Sequence, residues 1–291
     1  MHGYDEIALV TARDMPTPDD ESQHLISALN ARGLRAAMLP WDGDADWSRF
    51  RLVVVRSPWD YHLRLPEFLA WTRHVAGRTR LLNPAGLIEW NSHKRYLGEL
   101  ARAGIAVVPT WLAVAGSADA QAQLAACGWA DVVVKPAVSI GAWGALHARA
   151  DDAACSAHLA ALLRDGDALI QPFMPAIERD GEMSLVFFGG RYSHAVRKLP
   201  RQGDFRCQDH HGGTVAPHAP EQDEFDLARA ALAATPEPAV FARVDMIRGD
   251  DGPRLIELEV IEPALFFAQS APGTRMFAEL LARLARAGRD G

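Results

Sequence analysis

The chain is short of the features that mark several large classes of protein. Its three cysteines, Cys127, Cys155 and Cys207, are odd in number and far apart. That excludes a disulfide framework and reads as free thiols in a reducing, cytoplasmic setting. No apolar run approaches the length that spans a bilayer. The first residues lack a basic stretch followed by an apolar core, so nothing in them directs export. Basic side chains are in deficit. The 30 Lys and Arg against 37 Asp and Glu leave a formal charge of -7, the wrong sign for a surface that neutralises nucleic-acid phosphates. Internal repeats, low-complexity tracts and long linkers are missing as well. What remains is 291 residues with ordinary apolar content, enough for two domains or one elaborate α/β unit acting on something small.

The most telling residues lie near the C-terminus. Residues 242–247 and 255–262 are largely apolar and β-branched apart from Arg243 and their acids, and residues 249–253 between them have turn composition. A hairpin of this kind brings Asp245 close to Glu257 and Glu259, which share one face because strand side chains alternate. Carboxylates gathered among Val, Ile and Leu repel one another and are costly to desolvate. A hard divalent cation relieves both problems, and all-oxygen sites suit magnesium carrying nucleotide phosphates.

Upstream, strand and helix alternate. Strands are expected at 6–11, 35–39 and 52–55, with helices at 22–32, stopped by Gly33, and at 66–75, opening on Pro66. This alternation implies a parallel sheet covered on both faces. Ligands gather at the C-terminal strand ends of such sheets, where Arg56, Asp60 and Tyr61 fall. Arg56 there is a candidate anchor for a substrate carboxylate, with a surface salt bridge as the competing reading. Trp47, Trp59, Trp71 and Trp90 read as core packing rather than stacking platforms. A helix is expected at 92–103, closed by Gly104, and another at 151–164 with Asp151 and Asp152 at its positive end. Strands at 131–136 and 168–171 follow, then strands at 183–188 and 192–198 around the turn Gly189-Gly190. Helices at 222–234 and 274–287 complete the chain.

Two lysines stand out in this outline. Lys94 falls at the start of an expected helix. Lys135 ends an apolar strand, where a lysine is uncommon unless paired. The small-residue loop after it, with Ser139 and Gly141, can fold its amides around phosphate. Gln171, Pro172 and Phe173 form a strand end with a proline-bearing hinge, and Glu178 and Glu182 follow.

The order of these pieces resembles the ATP-grasp superfamily, and the resemblance covers nearly the whole chain. Members carry an early lysine, a strand lysine before a glycine-rich loop, a hinge that holds adenine, then an arginine, an aspartate and a Glu-x-Asn pair. Residues 196–206 and the pair Gly212-Gly213 are similar to the bacterial glutathione-synthetase-like branch. Residues 56–61, 90–94, 181–184 and 261–263 are also similar to cyclo-ligases that close O-ureido-serine. The resemblance implies an α/β (α+β) ATP-grasp fold with an N-terminal parallel-sheet domain. The expected divisions are 1–92, 93–170 and 171–291.

It further implies ATP and magnesium as cofactors. Lys94 and Lys135, with Ser139 and Gly141, would contact phosphates. Gln171 and Phe173 would line the adenine slot, and Glu178 would hold ribose. Arg197 would stabilise the transferred phosphoryl group, and Asp245, Glu257 and Glu259 would bind metal. Arg56, Asp60, Tyr61, Glu182, Arg206 and His210 would face the substrate. Glu259 stands where the family has Asn, and Gln208 replaces the Asn expected after Arg206. The stretch 207–211 could be read as a transition-metal site, but it lacks a paired Cys-x-x-Cys and fits a substrate-facing loop better.

The implied reaction activates a carboxylate as an acyl phosphate that a nitrogen then attacks, with loops 137–144 and 203–213 closing over it. Three functions follow as expectations: cyclisation of an O-ureido-serine-like compound, ligation of two amino acids, or nucleotide binding without catalysis. Homo-oligomers are common in this branch, although no exposed apolar stripe marks one here.

Overall fold

Runs of Ile, Leu and Val bounded by Gly, Asp and Pro set the first sheet of this computed structural model, which describes residues 6–14, 19–117, 119–207 and 212–287. Strand β1 (Ile7–Thr11) leads through helix α1 (Asp20–Asn30) to β2 (Ala36–Pro40). Strand β3 (Leu52–Ser57), helix α2 (Leu65–Ala76) and β4 (Arg80–Leu82) follow. The four strands are parallel in the order β2-β1-β3-β4. Alternation along β1 and β3 sends Ile7, Leu9, Leu52 and Val54 to one core, and Ala8, Val10, Val53 and Val55 to another. The second is aromatic: Trp41, Trp47, Phe68 and Trp71 pack edge to face or stacked there.

Two short helices, α3 (Ala85–Asn91) and α4 (Tyr96–Arg102), replace the single helix expected at 92–103. The backbone N–H of Lys94 donates to the carbonyl of Ala137 at 2.8 Å, so that group is engaged outside any helix and the chain breaks there. Lys94 therefore sits in a turn. Next come β5 (Trp111–Ala113), α5 (Ala120–Ala126), β6 (Asp131–Pro136), β7 (Leu146–Arg149), α6 (Ala153–Asp165) and β8 (Ala168–Pro172). They form a second sheet in the order β5-β8-β6-β7. The acids expected at the start of α6 lie before it, and Asp151 turns back to Arg149 at 3.0 and 3.1 Å.

After the single-turn helix α7 (Ala176–Arg179), strands β9 (Glu182–Phe188), β10 (Arg191–Leu199) and β11 (Thr214–His218) lead to α8 (Gln222–Ala233). Strands β12 (Phe241–Gly249) and β13 (Gly252–Glu259) then complete an antiparallel sheet ordered β11-β10-β9-β12-β13. Gly189 and Gly190 both take positive φ (57° and 73°) between β9 and β10, the primed turn their sequence suggests. The last helix, α9 (Ala271–Ala287), returns to the first sheet, with Phe277, Ala278 and Leu281 in the core that holds Ile7 and Leu9. Among the described residues no helix is long and apolar enough to cross a membrane.

Candidate active site

The site is built on the β12–β13 hairpin. Asp245 pairs in register with Glu257, and Arg243 with Glu259. A bulge between Asp245 and Met246 leaves Ile256 unmatched. It lets Leu255 and Leu258, three residues apart, both enter the core beneath the sheet, while Glu257 and Glu259 stay on the face of Asp245. Carboxylate oxygens of the three acids lie within 4.8 Å of one another. Ser184, opposite Asp245 on β9, donates a hydrogen bond to it at 2.6 Å.

The outer edge of β13 is held by side chains that sequence reasoning did not single out. Leu258 N–H donates to the Tyr96 hydroxyl at 3.0 Å, and Asn91 donates to Leu258 O at 2.7 Å. Asn91 also accepts from Val260 N–H at 3.2 Å, and Asn83 donates to Val260 O at 2.7 Å. Three buried side chains thus satisfy backbone groups beside Glu257 and Glu259 that a sheet edge would leave open.

Four cations face the acids. Arg243 is buried; its Nε and Nη2 donate to Asp245 at 2.7–3.0 Å, and Nη2 also reaches Glu259. Lys94 Nζ lies 3.0 Å from Glu257. Lys198 pairs with Glu182 and lies 3.8 Å from Asp245. Burial depresses the pKa of Lys135, with Lys94 adding to the effect while Glu257 and Glu182 oppose it, which places this lysine in the same cleft. Arg243 was not among the residues expected here, although a basic residue two positions from Asp245 necessarily shares its face.

Arg197 does not join them. Val196 and Lys198 are buried, whereas Arg197 is exposed on the opposite face, level with Met183 and Met246. The expectation that Arg197 meets the phosphoryl group is therefore corrected by strand alternation: the cation that β10 contributes is Lys198.

Burial works against each acid's charge, and neighbours decide the outcome. For Asp245, Arg243 and Lys198 outweigh burial and hold the carboxyl below its usual range. For Glu257, Lys94 and Lys135 do the same. Burial wins at Glu259, which is pushed up to about 8 despite Arg243, with Glu257 and Asp245 adding repulsion. Glu262, beyond the end of β13, is raised to about 7 by burial, opposed by Lys94 and the Tyr61 hydroxyl. Burial also raises Glu182 against Lys198.

The loop after Lys135 lies across the cleft. Gly141, Ala142 and Gly144 all have positive φ (55°, 62° and 68°), in tight turns closed by Trp143 N–H to the Ile140 carbonyl at 2.8 Å and Ala145 N–H to the Ala142 carbonyl at 3.1 Å. Lys94 Nζ donates to the Ser139 carbonyl at 2.6 Å. Ile140 packs against the aromatic core of the first sheet, and exposed Trp143 meets the His62 ring at 5.4 Å.

At the hinge, Gln171 is buried and donates to Thr110 at 2.8 Å. Phe173 stacks on His147 at 3.9 Å, with Phe205 edge-on to the same imidazole at 5.8 Å. Buried Cys207, whose thiol burial pushes up to about 12, packs nearby with Val108 and Ile247. Glu178 on α7 is exposed, and its side chain pairs with no described residue.

The expected substrate residues separate. Arg56 is buried, bonded through Nη2 to Glu21 and through Nη1 to the Pro263 carbonyl, both at 3.1 Å. It clamps the segment after β13 and is neither a surface bridge nor a free carboxylate anchor. Asp60 accepts from the Trp41 indole at 2.8 Å. Tyr61 is buried facing Glu262, and Glu182 faces the acids. Arg206 is engaged by Asp204 through Nε and Nη2, at 3.0 and 2.8 Å. His210, with Gln208 and His211, lies outside the described residues. Trp47 and Trp71 are core, and half-buried Trp90 bonds Glu99 at 2.7 Å. Trp59 is 44% exposed, contrary to the core reading, because it lies in the turn after β3 rather than on an element.

The carboxylate cluster on β12 and β13, faced by Lys94 and Lys198, occurs in a chain with clear relatives among known proteins. Residues 107–268 match the ATP-grasp domain of prokaryotic glutathione synthetase, and the chain belongs to the ATP-grasp ligases. Within that class, residues 7–83 match the N-terminal domain of D-cycloserine synthetase DcsG. The cycloserine biosynthesis protein DcsG of Streptomyces lavendulae is 38% identical over 303 residues, covering 95% of this chain and 97% of that protein. The crystal structure of D-cycloserine synthetase DcsG aligns with a TM-score of 0.85 at 36% identity, over 96% of this chain and 99% of that one. D-alanine–D-alanine ligase from Bacillus anthracis shares the fold, with a TM-score of 0.69 at 14% identity over 98% of each chain.

Proposed function

We propose that the chain uses ATP and magnesium to activate the carboxylate of a small amino acid as an acyl phosphate. A nitrogen of the same molecule then attacks the acyl carbon, losing a proton as the C–O bond to phosphate breaks and phosphate leaves. This closes a C–N bond, as in the cyclisation of an O-ureido-serine-like compound. The observation that carries this reading is the cluster of Asp245, Glu257 and Glu259 facing Lys94 and Lys135. It occurs in a chain similar to a cycloserine biosynthesis protein over nearly its full length.

The donor set fits magnesium: it is all oxygen, and the acids are close enough to share a cation. Bound there, magnesium supplies positive charge to the phosphates. The chain's own residues do the rest. Lys94, fixed by the Ser139 carbonyl, and Lys135 hold phosphate oxygens in place. Arg243 and Lys198 offer donors where negative charge develops as the phosphoryl group moves to the substrate carboxylate. The loop 137–144 keeps water from the acyl phosphate. Gln171 and Phe173 border the adenine slot, and Glu178 takes the ribose.

The test is ADP release with ATP and magnesium across amino acids offered singly and in pairs, including both enantiomers of O-ureido-serine. Release with one ureido compound alone supports the cyclising ligase. Release only with a pair would replace it by a ligase joining two amino acids. Tight ATP binding without release across the panel would favour a non-catalytic module.

A further inference from the structure

Five carboxylates converge on the cleft, and four have a cation within ion-pair distance. Lys198 serves Glu182, Arg243 serves Asp245 and Glu259, and Lys94 serves Glu257. Glu262 is the fifth, and among the described residues no cation lies within 4.0 Å of it. It stands outside the three acids whose oxygens cluster. Its backbone is fixed on both sides. Ile261 is 2% exposed in the aromatic core of the first sheet, and the Pro263 carbonyl is held by buried Arg56 at 3.1 Å. Beyond it, Leu265 N–H donates to Glu21 at 2.7 Å, the same acid that pairs with Arg56. The Tyr61 side chain, 4% exposed, approaches Glu262 from the first sheet. Lys94 and Arg243 act on Glu262 only from beyond ion-pair distance, so a carboxylate held rigidly beside a phenol, with no cation in direct contact, is an acceptor prepared for one that arrives with a ligand.

We propose that Glu262, flanked by Tyr61, binds the ammonium group of the amino-acid substrate. The inference rests on the proposed ligase reaction and names the subsite that orients its substrate. The carboxylate to be phosphorylated must point at the metal acids and Lys94, so the ammonium on the adjacent carbon needs an acceptor beside them. Glu262, three residues past Glu259, supplies one.

The experiment compares O-ureido-D-serine with 3-(ureidooxy)propanoate, the same molecule without its amino group, on wild type, Glu262→Gln and Glu262→Asp. Glu262→Gln should raise the KM for the amino acid on the order of 10- to 100-fold, the size of a charge-assisted hydrogen bond, with the KM for ATP unchanged. Glu262→Asp should lose less. The deamino compound should be equally poor with wild type and Glu262→Gln, because the contact is already missing. Should Glu262→Gln fail to fold, Glu262→Asp and the wild-type comparison still give a reading: equal use of the two compounds by wild type overturns the subsite. So does a Glu262→Gln variant whose loss is as large on the deamino compound as on the amino acid. Wild-type turnover with neither compound would refute the proposed cyclisation itself, a result distinct from turnover that ignores the amino group.

Discussion

Lys198 and Arg197 are adjacent on one strand, so replacing each by Met separates a site cation from a bystander. Lys198 is 5% exposed, contacts Glu182 and lies 3.8 Å from Asp245. At an effective dielectric near 20, its attraction to Asp245 alone is about 4 kcal/mol. Removing one partner of a buried pair typically costs roughly 3–5 kcal/mol. Glu182 can relieve part of that by taking up a proton, since burial already raises its pKa, so the expected loss of stability is about 3 kcal/mol. The loss in turnover should be on the order of 100- to 1,000-fold, as for a deleted donor to developing charge. Arg197→Met should leave both nearly unchanged, because Arg197 is exposed on the other face. Urea denaturation and steady-state ADP release on the two variants test this. An Arg197→Met enzyme as impaired as Lys198→Met would refute the placement of Lys198.

Glu257→Gln should abolish turnover and lower stability by about 1–3 kcal/mol, since buried Lys94 loses its carboxylate partner but keeps its bond to the Ser139 carbonyl; full ADP release would rule out the metal assignment. Tyr96→Phe removes the acceptor for Leu258 N–H inside the core, so stability should fall by about 1–3 kcal/mol, measured by the urea midpoint. Gly144→Ala puts a Cβ at positive φ (68°) and 2.9 Å from Pro136 Cγ, so the phosphate loop should shift. kcat should fall, as steady-state ADP release would show. The metal-free protein should lose stability as pH rises. Glu259 and Glu262 hold protons to about 8 and about 7, whereas the unfolded chain releases them near 4.5. In that window the folded state binds more protons, so the slope is negative. Saturating ATP with magnesium should flatten it, and thermal melts from pH 5 to 8 would show whether it does.

Periodicity and residue order made much of this legible. The apolar strands of the first sheet, the Gly189-Gly190 turn and the acidic hairpin are all local patterns, and each appears where its spacing places it. The departures have a common cause, which is tertiary contact that a local pattern does not encode. Lys94 left its expected helix because its N–H bonds Ala137, 43 residues away by numbering. Arg56 looked like a substrate anchor at a strand end, but Glu21 and Pro263 reach it from distant parts of the chain. The misplacement of Arg197 is different in kind. Two-residue alternation from Asp245 and Ser184 through the paired register selects Lys198, but that register is known only once β9, β10 and β12 are aligned. Asn83, Asn91 and Tyr96 were out of reach for the same reason, since the edge they cap lies some 160 residues downstream.

Glu259 in place of the family's Asn makes sense within the charge pattern of the whole cleft. Without ligands, the acids already carry cations: Arg243 bridges Asp245 and Glu259, Lys94 holds Glu257, and Lys198 holds Glu182. In the proposed reaction, these are the same side chains that would serve the phosphates and the activated carboxylate. Magnesium held by the acids would free Arg243 and the lysines for the anions, so that one set of counter-charges would replace another. An Asn at 259 would hold Arg243 less firmly before binding and offer magnesium one charge fewer afterwards. Glu259→Asn should therefore raise the magnesium concentration needed for half-maximal ADP release and loosen Arg243 in the free protein. Magnesium titrations of ADP release at fixed ATP would measure the first. An unchanged magnesium midpoint would show that Glu259 serves Arg243 and not the metal.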